Sequence, residues 1–93
     1  IYDYYFASPT TVYVADDRTS NAISGVPNGG IFRFDYNFGL ATWVYSYQLS
    51  LGSSTGCRGL SGFRQNGVTT LWGTAVTSSG ATSLVSIVDN GPT

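Results

Sequence analysis

The chain has 93 residues, of which 42% are hydrophobic, and a formal net charge of -1. That length holds one small domain, and that apolar content excludes wholesale disorder. The near-neutral charge gives no electrostatic pull toward nucleic acid, and no apolar run approaches the roughly 20 residues of a membrane helix, so membrane insertion is not expected.

Seven strands are expected in chain order. Tyr2–Ala7 comes first and ends at Ser8-Pro9. Thr11–Ala15 follows, nearly continuous in apolar residues, as for a strand buried on both faces, and Asp16-Asp17-Arg18 closes it. Residues 18–29 are rich in Ser, Asn, Gly and Pro and read as a surface loop. In Ile31–Tyr36, Phe32, Phe34 and Tyr36 share one face, while Ile31, Arg33 and Asp35 share the other. After the Asn37–Gly39 turn, Trp43, Tyr45, Tyr47, Leu49 and Leu51 point one way, with Thr42, Val44, Ser46, Gln48 and Ser50 opposite them. That period of two marks one buried and one wet face. Gly52–Gly56 reads as a connector and Arg58–Phe63 as a short glycine-containing strand. Asn66-Gly67 is a hairpin turn between it and Val68–Val76. Ser78-Ser79-Gly80 turns the chain into Ser83–Val88, which Asp89-Asn90-Gly91-Pro92 stops.

The residues present favour strands throughout. Every acidic residue is Asp and every basic one Arg, while Lys, Glu, His and Met are absent. Thr, Val, Tyr, Phe and Trp, which fit pleated surfaces, dominate instead. The start lacks both a signal-peptide pattern and an initiator Met, so a piece of a longer polypeptide is expected. Low charge and abundant Ser, Thr, Gly and Asn point to an extracellular or cell-surface setting. Cys57 is the single cysteine and forms no internal disulfide.

A weak repeat runs through the chain. Phe6 before Thr10-Thr11-Val12-Tyr13 and a strand ending in Asp35 is echoed by Phe63, Thr69-Thr70-Leu71-Trp72 and Asp89. A spacing in the fifties accords with a repeat of small sheets, four strands and then three. The stretches TVYVADD (11–17), GGIFRFD (29–35), TWVYSYQL (42–49), RGLSG (58–62), TTLWGTAV (69–76) and SLVSIVDNG (83–91) resemble a family of β-propeller repeats. That family occurs in secreted, Ser/Thr/Gly-rich bacterial and algal proteins. The resemblance implies an all-β chain of about two antiparallel blades: 2–51 as one complete four-stranded blade, and 57–90 as the inner three strands of the next. A small β-sandwich is the alternative fold. Either blade buries its faces only against neighbours, so the expected partners are other blades of the same polypeptide or copies of the chain.

Catalysis is not expected. Without His, Lys or Glu, no base stands ready to activate a Ser or Cys57 nucleophile, and zinc lacks ligands. No cofactor is implied. Asp16 and Asp17 are the weak candidates for a metal site, against a plain strand-ending turn with a local ion pair. Arg58, Arg64, Trp43 and Trp72 are the candidates for a ligand or interface: arginines at a channel, or rings that stack on sugars. Against these stand a structural role for Arg58, bonding carbonyls of an adjacent blade, and packing for the aromatic rings. The expected role is a non-enzymatic extracellular scaffold, with a glycan-binding propeller or a non-catalytic part of a larger secreted enzyme as alternatives.

Overall fold

The structure, a computed structural model, describes residues 3–17, 29–49, 51, 55–77 and 79–91. It is all-β. Four strands, β1 (Asp3–Ser8), β2 (Thr11–Asp16), β3 (Gly30–Asn37) and β4 (Thr42–Leu49), form one antiparallel meander in chain order. Three more, β5 (Thr55–Gln65), β6 (Val68–Thr77) and β7 (Thr82–Val88), form a second. The 18–29 loop and the Gly52–Gly56 connector lie outside the described residues except for Gly29, Thr55 and Gly56. The short strand expected at Arg58–Phe63 is instead the longest, because Thr55 and Gly56 already pair with Thr77 and Val76. Asn66 and Gly67 both take positive φ, 53° and 78°, which fits the tight right-twisting hairpin that their sequence demands.

The two sheets pack face to face through β5, which lies over β1, β2 and β3. The core between them contains Tyr13, Ala15, Ile31 and Leu49 from the first sheet and Cys57, Leu60 and Leu71 from the second. Tyr5 reaches across so closely that a Cβ on Gly62 would lie 2.7 Å from its ring, which is why glycine stands there. At the open edge of β5 one group is tied to the first sheet: the Leu60 N–H donates to Asp3 Oδ2 at 3.0 Å.

One expectation about faces is overturned. The alternation from Trp43 to Leu51 does not hold along β4, because Ser46 is inserted as a bulge. Phe34 pairs with Tyr45, yet Arg33 pairs with Tyr47. Two residues on one strand opposite one on the other shift every later side chain to the opposite face. Trp43 and Tyr45 therefore turn outward, whereas Tyr47 and Leu49 turn into the junction.

The repeat is corrected in the same way. The Tyr36 N–H donates to the Thr10 carbonyl and the Asp89 N–H to the Thr69 carbonyl, each at 2.9 Å. Only directly opposite residues of a narrow antiparallel pair bond like this. For L-residues in meanders running in the same order, that pairing fixes which face the side chains take. Thr10 thus matches Thr69, as expected, but Tyr36, and not Asp35, matches Asp89. In the flanking strand Phe6, opposite Val12, matches Gly62, opposite Leu71, and not Phe63. The face marked by Tyr36 looks away from the second sheet, since its ring packs on Phe38 and Trp43. The matching face marked by Asp89 looks toward the first sheet, where Asp89 meets Tyr13 and Arg33. The sheets are therefore stacked head to tail, front on back.

Candidate functional site

The densest cluster of charged and hydrogen-bonding side chains among the described residues lies at the junction. Arg33 and Asp35 occupy the inward face of β3 because they alternate with Ile31, and β2 places Thr11 and Tyr13 beside them. Arg33 Nη1 donates to Asp89 Oδ2 at 2.7 Å and to the Tyr47 hydroxyl at 2.8 Å, and its Nε donates to Asp35 Oδ2 at 2.9 Å. Its guanidinium also lies over the Tyr47 ring, 5.4 Å from the centroid. Asp89, whose side chain is 3% exposed, accepts further bonds from the hydroxyls of Tyr13 and Tyr47 and from the Gly91 N–H. Asp35 accepts from the hydroxyls of Thr11 and Ser46. The bulge that turns Tyr47 inward thus also supplies Ser46 to the network.

The electrostatics follow from this crowding. Burial pushes the Asp35 carboxyl up, but hydrogen bonds from Arg33, Ser46 and Thr11 together outweigh it and hold the group at about 2. Asp89 is likewise held below the usual carboxylate range: burial opposes this, and the Tyr13 hydroxyl, Gly91 N–H and Arg33 overcome it. Burial and the bond to Asp89 push Tyr13 up to about 12. Both carboxylates titrate lower when folded than when unfolded. The stability that Asp35 adds is present above its unfolded pKa of about 4 and is lost as pH falls toward 2, and Asp89 acts in the same direction. The urea midpoint is accordingly expected to fall between pH 6 and pH 2.5, and to fall less in an Asp35→Asn variant. A midpoint unchanged over that range would show that the network adds no stability.

Every polar group here is spent on another protein group. The arrangement is a latch joining two sheets. Cys57 is buried against Gly73, and burial together with the nearby charge of Asp3 pushes its thiol up to about 11, so it stays protonated at neutral pH.

The residues singled out from sequence lie elsewhere. Asp17 pairs with Arg58 Nε at 3.4 Å, joining the end of β2 to β5, so the cation facing it comes from the second sheet. Among the described residues no three His, Cys, Asp or Glu side chains converge as metal ligands. Arg64 is exposed near the β5–β6 hairpin. Trp43 and Trp72 stand on the outer faces of different sheets.

Those outer faces are the second notable feature. On the first sheet, Tyr4, Phe6, Tyr36 and Trp43 form a run of edge-to-face rings from β1 to β4, with centroids 5.4 to 5.9 Å apart. Tyr4, Phe6, Val12 and Val14 line a hollow of about 270 Å³ on this face. On the second sheet, Phe63, Trp72, Leu84 and Val88 are exposed. Trp72 and Leu84 flank a groove of about 200 Å³ that Gly59, Ser61, Gly73 and Thr74 also line. Compared with known proteins, the chain matches no protein-family model, no curated protein and no solved structure.

Proposed function

We propose that the chain is a non-enzymatic extracellular scaffold: two consecutive sheets of a β-propeller-like stack, held rigid by the latch and offering apolar faces to further sheets. The observation that carries this reading is the front-on-back order of the two meanders. A sandwich that closes on itself keeps its apolar residues inside and leaves its outer faces polar. Here both outer faces carry aromatic and aliphatic side chains, of a kind that marks interaction surfaces. The second meander also lacks, among the described residues, a strand beside β7 where the first has β4. The partners are sheets of the same kind, from the same polypeptide or from copies of it. Sedimentation velocity over a hundredfold range of concentration tests the reading. The 93-residue chain is expected to self-associate as concentration rises, and a monomer at every concentration would overturn it.

A second reading, a glycan-binding propeller, draws on the groove beside Trp72, where an indole faces the hydroxyl residues Ser61 and Thr74 over a glycine floor. Binding on a glycan array that a Trp72→Ala variant loses would favour it. Silence across a broad array would count against it.

A further inference from the structure

We propose that the outer face of the three-stranded sheet docks on the outer face of the four-stranded sheet of a second copy, repeating the internal junction with Trp72 in the place of Tyr13. This rests on the scaffold reading and adds the partner and the register. The strand pairings supply the correspondence. Tyr4–Val14 and Phe6–Val12 in the first sheet match Leu60–Gly73 and Gly62–Leu71 in the second. The hollow walled by Tyr4, Phe6, Val12 and Val14 is thus the counterpart of the patch that Tyr5 and Tyr13 cover inside the molecule.

Tyr5 and Tyr13 in turn match Ser61 and Trp72, because Tyr5–Tyr13 and Ser61–Trp72 occupy the same register. The side chain standing where the next hollow would receive it is therefore an indole. Ile31, opposite Ala15, matches Leu84, opposite Thr74. Ile31 is 0% exposed at the internal junction and Leu84 is 76% exposed at the open one. The same place in the sheet is filled in one case and bare in the other.

The two junctions differ in chemistry. The counterparts of Arg33 and Asp35 are Ser86 and Val88, and the counterpart of Asp89 is Tyr36. The charged latch is confined to the internal junction, and the contact between copies is aromatic and aliphatic. Its strength therefore does not depend on screening of charges, and the association persists in 1 M sodium chloride.

Because the two faces differ, the contact is heterologous, and complementary variants test it. Leu84→Asp blocks one face and Tyr4→Asp the other. Both positions are exposed, so the variants fold, and far-ultraviolet circular dichroism verifies it. Trp72→Asp and Phe6→Asp form a second pair with the same logic. Each variant alone is expected to self-associate at least tenfold more weakly than the parent chain. An equimolar mixture is expected to form a one-to-one complex that grows no further, since each partner keeps the face the other lost. Either variant dimerising by itself would show like-on-like packing and overturn the register. A mixture that stays monomeric while the parent associates would overturn the proposal and leave the scaffold reading intact. A monomeric parent chain would remove both.

Discussion

Arg33→Met is expected to cost the fold about 3–5 kcal/mol, the loss typical when one partner of a buried ion pair is removed. Asp89 is the reason. Its side chain is 3% exposed, and Arg33 is the cation it meets, at 2.7 Å. Methionine fills much of the volume of the arginine stem, so the change isolates charge from packing. Without the guanidinium, Asp89 keeps its bonds from Tyr13, Tyr47 and Gly91, but three neutral donors do not replace a counter-charge beside a carboxylate that the protein almost wholly covers. A domain of this size has roughly 5–15 kcal/mol in total, so a large share of its stability is at stake. The pH dependence gives a signature that simple loss of packing lacks. In the variant Asp35 and Asp89 both lose the lowering that Arg33 supplies, so each titrates closer to its unfolded value. The stability that the two carboxylates lose on acidification shrinks accordingly, and the fall of the urea midpoint between pH 6 and pH 2.5 should be smaller than in the parent chain. A loss below about 1 kcal/mol with no such trend would show that the latch is ornamental.

The fold class was legible because strands write themselves in local terms. A period of two, turn residues at the breaks and an Asn-Gly pair at the tight hairpin are all short-range signals. Nothing comparable marks the bulge at Ser46. The run Trp43, Tyr45, Tyr47, Leu49 keeps its alternation on paper, because bulky apolar residues occupy the expected positions on either side of the inserted residue. Only the pairing with β3 shows that the first two face outward and the last two inward. The latch was hidden for a different reason. Arg33 and Asp89 are 56 residues apart, and a bond at that separation leaves no trace in either neighbourhood. A partial clue existed: Arg33 and Asp35 alternate with Ile31, so burying Ile31 obliges both charges to find partners. The repeat was visible at Thr10 and Thr69, where the registers agree. It was misplaced at Asp35 and Phe6 because matching residue identity, without matching the hydrogen-bonded face, slips the strand by one.

Leu71→Ala is expected to cost about 2–5 kcal/mol, whereas Leu84→Ala, in the same sheet, costs the isolated chain no more than about 0.5 kcal/mol. The chemical change is identical and the surroundings differ. Leu71 lies on the face of β6 turned to the first sheet and is 0% exposed, packed with Tyr13 and Leu60. Truncating it removes three carbons' worth of transfer energy and leaves a space that the neighbouring sheets cannot close, since the latch holds them at a fixed distance. Leu84 lies on the opposite face of β7 and loses nothing inside the chain when it is shortened. Urea unfolding at a concentration low enough to keep the chain monomeric measures both, with an unchanged slope showing that the transition itself is the same. Raising the concentration then separates the two roles. If the outer face is a docking surface, Leu84→Ala shifts the concentration at which the chain associates while leaving the monomer's midpoint in place, and Leu71→Ala moves the midpoint first. Equal costs for the two leucines would mean that the sheet has no inside, and that the stacking order derived from its hydrogen bonds is wrong.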